Sequence, residues 1–107
     1  MNIMLWSLVA LTVLTANAWA DTRSHLEQAM HYCQAALYAR DGKTLIEKAE
    51  DAKQQAALVS REKADGKHME QGLQCLDNAI KEARAGNVEA ARTASKDALD
   101  HFTRAAR

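Results

Sequence analysis

Four histidines are the residues of this sequence best suited to bind a metal ion, and they are His25, His31, His68 and His101. Neutral imidazole is a common protein ligand of copper, zinc and nickel. A helix adds a second ligand at i+3 or i+4, because those side chains share a face. The sequence offers two such pairs, Glu27 with His31 and Asp97 with His101.

Sulfur-containing side chains lie near these histidines in the sequence. Met30, Met69 and the two cysteines, Cys33 and Cys75, are soft donors of the kind that suit Cu(I). No HExxH, CxxC or Cys/His finger spacing accompanies them. Two interpretations therefore stay open: a metal site, or solvated surface histidines above methionines that fill a helical core.

The elements that must position these residues are predicted to be helices. The sequence has no proline, and aromatic residues make up 5% of it. Apolar residues recur at alternating intervals of three and four, which keeps one stripe of each helix on the core side. The predicted stripes are Leu26, Met30, Cys33 and Leu37; Leu45, Ala49, Ala52, Ala56 and Val59; Met69, Leu73, Leu76 and Ile80; and Val88, Ala91, Ser95, Ala98 and Phe102.

Glycines and capping residues predict where the helices end and begin. Gly42, Gly66 and Gly86 each follow an apolar stripe and are predicted to be left-handed C-caps, whereas Gly72 lies inside a helical pattern. The predicted N-caps are Ser24, with Glu27 as its capping-box partner, Thr44, with Glu47 as its partner, and Asn87.

Short connections between the helices predict an all-α, antiparallel, up-down-up-down four-helix bundle. HLEQAMHYCQAAL, beginning at His25, is echoed by HMEQGLQCLDNAI, beginning at His68, at an offset of 43 residues (68 minus 25). That offset is a helix, a turn, a second helix and another turn, so we expect a duplicated helical hairpin. In such a bundle the first and third helices are parallel and the fourth returns, so we expect His25, His68 and His101 to meet at one end.

The first twenty residues read as a secretory leader. They contain no charged side chain and end in Ala18-Trp19-Ala20, a small-x-small cleavage pattern. A membrane anchor is the rival interpretation, but the apolar stretch is short and interrupted by polar residues. We expect cleavage after Ala20 and an exported four-helix domain over residues 21–107, with no membrane attachment after cleavage.

Several classes of function are disfavoured by what the sequence lacks. Fourteen basic residues balance fourteen acidic ones, which gives no bias towards nucleic acid or anionic lipid. No Gly-rich phosphate loop, CxxCH haem motif or nucleophile with a recognisable base is present. We therefore predict a protein that is not an enzyme and that binds neither haem nor nucleotide.

The two cysteines leave alternatives open. A disulfide would help a domain of this size, but the first and third helices lie diagonally in the simplest bundle, which resists the short Cα separation that a bridge needs. The alternatives are an intramolecular bridge, or a buried free Cys33 with Cys75 available to a metal or to an intermolecular bond.

Residues 25–107 resemble the small metal-binding protein family. The resemblance rests on HLEQAMHYCQAAL, HMEQGLQCLDNAIKEARAGN and DALDHF, in which His25, His68 and His101 stand at histidine positions of the family and Cys75 replaces another. It implies an exported periplasmic bundle that binds copper or another divalent transition metal. The family carries histidine on nearly every turn, whereas this chain keeps four, so many ligand positions are Gln, Lys or Ala here.

Two functions follow from these observations. The first is a periplasmic buffer or carrier of copper or another divalent transition metal, with ligands among His25, His68, His101, His31, Met69, Cys75 and Asp97. The alternative is a non-enzymatic helical module of the envelope that has lost most of its metal ligands and that binds a protein partner or dimerises, with Cys75 available to link a homodimer.

Overall fold

The computed structural model describes the backbone of residues 2–60 and 64–107 and the side chains of residues 20–60 and 64–107. These residues form four helices and no strand, which confirms the all-α prediction. The helices are α1 (Asn2–Leu37), α2 (Gly42–Ala57), α3 (Gly66–Arg84) and α4 (Val88–Ala105).

The helices pack as a bundle in which each contacts two neighbours closely. α1 packs against α2 and α4, and α3 packs against the same two helices. Arg92, near the start of α4, donates to the carbonyl oxygen of Ala39, just after the end of α1 (Nη2–O 2.8 Å). His68, near the start of α3, meets His101, near the end of α4. Contacts of this kind join the beginning of one helix to the end of its neighbour, as antiparallel packing requires.

The core is built largely of small residues. The predicted second stripe is buried throughout, including Val59, which lies beyond the end of α2. Four predicted core residues are only half-buried, namely Met30, Leu37, Leu73 and Val88. Their places in the core are taken by the small residues Ala29, Ala36, Gly72, Ala79 and Ala94. Because small side chains let helix backbones approach closely, the larger apolar residues are displaced towards the edges of the interfaces.

Gly72 lies inside a helix because the ring of Phe102 packs directly on it. A Cβ atom at position 72 would lie 2.5 Å from Cε1 of Phe102, closer than two carbon atoms can approach. Phe102 is fully buried and is the largest such side chain in the described part of the chain. The glycine is therefore the complement of the bulkiest core residue on the facing helix.

The predicted start of α2 at Thr44 is wrong because an aspartate one turn earlier caps the helix. Asp41 is the N-cap of α2, and its side chain accepts from the backbone N–H of Thr44 at 2.7 Å. Asp65 caps α3 in the same way, accepting from the backbone of Lys67 and His68. Thr44 therefore lies inside α2 and does not cap it.

Two of the three predicted C-cap glycines are the first residues of the following helices. Gly42 begins α2 and Gly66 begins α3, each directly after its capping aspartate. Gly86 alone among the described residues has a left-handed backbone, with φ of 86°. Asn87 precedes α4 as predicted, but its side chain donates to Glu82 Oε2 (3.1 Å) instead of capping the helix.

The predicted cap at Ser24 is also wrong, because α1 continues without interruption from Asn2 to Leu37. The side chains of residues 1–19, on which the leader prediction rests, lie outside the described residues. No helix in the described part of the chain is both long and apolar enough to cross a membrane.

Candidate metal centre

Two of the predicted ligands, His68 and His101, lie in direct contact. Their Nδ1 atoms lie 3.4 Å apart, and the two rings are stacked with centroids 5.7 Å apart and planes inclined by 30°. His68 stands in the first turn of α3, where Asp65 accepts from its backbone N–H (3.3 Å). His101 stands in the last turns of α4. Both rings are half-buried, so the helices fix them while solvent still reaches them.

The separation of the two Nδ1 atoms fits a shared metal ion. Imidazole nitrogens bind zinc at roughly 2.0–2.1 Å, and two of them in a tetrahedral site lie about 3.3 Å apart. Without an ion, one Nδ1 must carry a proton and the other a lone pair for the two to attract. Two protonated rings would place like charges in contact. A single divalent cation satisfies both nitrogens at once.

His25 does not take part in this pair. Its Nδ1 lies 2.8 Å from Oε1 of Gln55, in the last turn of α2. An amide oxygen only accepts, so this nitrogen of His25 carries the hydrogen and has no lone pair to give a metal. No group of three or more His, Cys, Asp or Glu side chains in the described residues is arranged to hold an ion. The centre is thus a pair of imidazoles.

His31 and Glu27, which were predicted to form a ligand pair, contact different residues. His31 is exposed, and its ring meets the ring of Tyr32 edge-on with centroids 5.8 Å apart. The carboxylate of Glu27 pairs with Arg23 (Nε–Oε1 3.2 Å). Met69 is fully buried in the core, where its thioether is shielded from solvent.

The cysteines carry free thiols that burial keeps protonated. Cys33 is fully buried, and burial, followed by the nearby Cys75, raises its pKa to about 12. Cys75 is half-buried, and burial, followed by the charge of Asp97, raises its pKa as well. A raised pKa disfavours the thiolate that metal binding or disulfide exchange requires. The homodimer through Cys75 stays a prediction, and so does a role for the exposed Asp97 as a ligand.

Sequence reasoning missed two glutamines near these histidines. Gln55 receives the hydrogen bond of His25, and no local motif marks it. Oε1 of Gln71 is buried without a hydrogen-bond partner, three residues after His68 in α3. An unsatisfied buried acceptor is costly, and the i+3 spacing from a histidine is the one signal that could have drawn attention to Gln71.

Comparison with known proteins gives independent information about the function of the chain. The sequence model of the small metal-binding protein family matches residues 1–105, nearly the whole chain. The chain matches no curated protein and no solved structure.

Proposed function

Because this chain belongs to the small metal-binding protein family, we propose that it binds a divalent transition-metal cation through the imidazoles of His68 and His101. The observation that carries the proposal is the 3.4 Å separation of the two Nδ1 atoms. It matches the separation of two nitrogens on one tetrahedral ion, about 3.3 Å. With only two protein ligands, the remaining coordination positions are open to water or to an acceptor of the ion.

Copper is the cation that these donors favour, as Cu(II). Affinity for nitrogen ligands rises along the first-row divalent metals to a maximum at Cu(II). The soft donors that would favour Cu(I) are held back, since Met69 is fully buried and the pKa of the half-buried Cys75 is raised. Zn(II) and Ni(II) suit the same imidazoles less strongly.

A buffer or carrier is the role that fits a site of this kind. The half-buried rings leave an ion within reach of solvent, so it can exchange with another ligand. Among the described residues no third His, Cys, Asp or Glu side chain joins the pair, so the ion would be held by two protein ligands. We propose that the chain serves this role in the periplasm after a leader is removed.

Calorimetric titration of the purified protein with Cu(II), Zn(II) and Ni(II) tests the proposal. We expect one saturable Cu(II) site with a Kd below about 10 μM. The double variant H68Q/H101Q should lose it, whereas H31Q, which removes an exposed histidine, should keep it. Absence of saturable binding, or binding that survives the double variant, would contradict the proposed function.

Export has its own test. We expect the protein isolated from the periplasmic fraction to have the mass of residues 21–107, with Asp21 at its N-terminus. An intact mass that retains the first twenty residues would rule out cleavage after Ala20.

A further inference from the structure

The two hairpins of this fold hold matching pairs of polar side chains. α1 and α2 join His25 to Gln55, and α3 and α4 join His68 to His101. We infer that Gln55 occupies a ligand position of a second metal site, and that its amide is what restricts this chain to one ion. The inference rests on the proposed function, because it takes the His68–His101 pair as a working site.

The buried positions of α1 and α3 coincide when the two helices are aligned. At the offset of 43 residues (68 minus 25), each buried position of α1 from Leu26 to Ala36 meets a buried position of α3. The matched pairs are Leu26 with Met69, Ala29 with Gly72, Cys33 with Leu76, and Ala36 with Ala79. In this register His25 corresponds to His68, and both are half-buried.

α2 and α4 match in the same way at an offset of 46 residues (101 minus 55). Five buried positions coincide, and they are Leu45 with Ala91, Ala49 with Ser95, Ala52 with Ala98, Ala56 with Phe102, and Val59 with Ala105. In this register Gln55 corresponds to His101, and both are half-buried. The offsets that align the two polar pairs also align the buried positions of the helices that carry them.

The geometry of the two pairs agrees with this correspondence. In each hairpin Nδ1 of the first histidine is the atom that faces the partner, at 2.8 Å from Oε1 of Gln55 and at 3.4 Å from Nδ1 of His101. The shorter distance is that of a hydrogen bond, and the longer one leaves room for an ion between two ligands.

Chemistry explains why the first pair does not bind a transition metal. A neutral amide oxygen is a hard donor, better suited to Ca²⁺ or Mg²⁺ than to copper or zinc. By accepting the hydrogen bond it also keeps the hydrogen on Nδ1 of His25, the nitrogen that would have to bind the ion. An imidazole at position 55 would replace this acceptor with a second nitrogen lone pair.

The test is to count Cu(II) ions bound by variants of the full chain, using calorimetry together with metal analysis after gel filtration. Q55H should bind two ions, the second with a Kd within about tenfold of the first. Q54H is the matched control, because Gln54 is the neighbouring residue of α2 but is exposed. It should bind one ion, as the unaltered chain does.

A second arm separates this inference from the proposed function. Q55H combined with H68Q and H101Q should bind one ion, and further replacement of His25 by Gln should remove it. If the unaltered chain and Q55H each bind one ion, the inference is overturned and the proposed function stands. If the unaltered chain binds none, the proposed function fails, and an ion bound by Q55H but lost with H25Q still supports the match between the pairs.

The variant H25Q tests the inference without the Q55H substitution, so the result does not depend on how Q55H folds. We expect H25Q alone to leave the count at one bound ion, because His25 lies outside the His68–His101 pair and its Nδ1 faces Gln55. Loss of the bound ion in H25Q, with the fold intact by circular dichroism, would overturn the inference.

Discussion

The two thiols of this protein differ in how far solvent reaches them. Cys33 is fully buried with a pKa raised to about 12, whereas Cys75 is half-buried with a smaller rise. At pH 8 the thiolate fraction of a group with a pKa of 12 is about 10³-fold below that of an ordinary cysteine.

Alkylation with iodoacetamide at pH 8 should therefore modify Cys75 first and leave Cys33 at least about 10³-fold slower than a cysteine in an unfolded peptide. Denaturation should make the two residues react alike. Mass spectrometry of tryptic fragments distinguishes them, and equal rates in the folded protein would contradict the burial of Cys33.

The contact between Gly72 and Phe102 predicts a cost for the smallest possible substitution. G72A places a methyl group 2.5 Å from the ring, so we expect a loss of about 1–3 kcal/mol in the free energy of unfolding. G66A is the matched control, because a Cβ at the first position of α3 would meet no described atom within 4 Å apart from its chain neighbours and the backbone of its own turn. Urea denaturation should show G66A unchanged or stabilised by up to about 1 kcal/mol, and equal stability of G72A and the unaltered protein would refute the contact.

Individual residues also show where sequence reasoning stops. The prediction that His25, His68 and His101 lie at one end of the bundle rests on antiparallel helices, and two of them, His68 and His101, do meet. That His25 meets Gln55 depends on which side of α1 faces α2. Spacing along one helix does not contain that information.

The N-terminal cap of α2 makes the stability of the folded protein depend on pH. The backbone N–H of Thr44 donates to Asp41, and this hydrogen bond lowers the pKa of that carboxyl in the folded protein. The unfolded chain, with an ordinary pKa near 3.9, then takes up the proton more readily than the folded chain does. The stabilisation is therefore complete above about pH 4 to 5 and is lost as the pH falls through the lower, folded value.

D41N keeps a capping oxygen but removes the titrating charge, so its stability should vary less between pH 5 and pH 2 than that of the unaltered protein. Urea midpoints measured at pH 5, 4, 3 and 2 provide the comparison. Parallel curves for the two proteins would show that Asp41 contributes nothing to acid unfolding.

Helix ends were the least predictable elements. Gly42 and Gly66 follow apolar stripes, as C-cap glycines do, yet each is preceded by an aspartate that begins the next helix. A glycine between two helices satisfies the pattern for an end and for a beginning equally well, and only the backbone conformation separates them. Gly86, with its left-handed φ, is the position where the prediction was right.

For the molecule as a whole, an ion held between α3 and α4 should stabilise the folded chain. A ligand that binds only the folded state adds about 2.7 kcal/mol at a free concentration about 100 times its Kd. We expect Cu(II) to raise the melting temperature of the unaltered protein, followed by circular dichroism, and to leave that of H68Q/H101Q unchanged. An equal rise in both proteins would place the ion elsewhere.

The global fold was accessible from the sequence because composition and period agree along the whole chain. Abundant alanine and the lack of proline predict helices, and the short connections predict that consecutive helices pack against each other in antiparallel directions. A wrong interpretation of any single residue does not change the predicted order of the helices. The candidate metal centre depends on two Nδ1 atoms lying 3.4 Å apart, and an error at a single residue changes its prediction.

The two imidazoles are separated by 33 residues, and the second belongs to the last helix. A chain still being synthesised, or threaded through a pore in extended form, has no such pair to offer. An ion bound by the proposed pair would therefore have to bind after α4 has packed on α3. Cleavage of α4 before His101 would separate the two imidazoles of the proposed site.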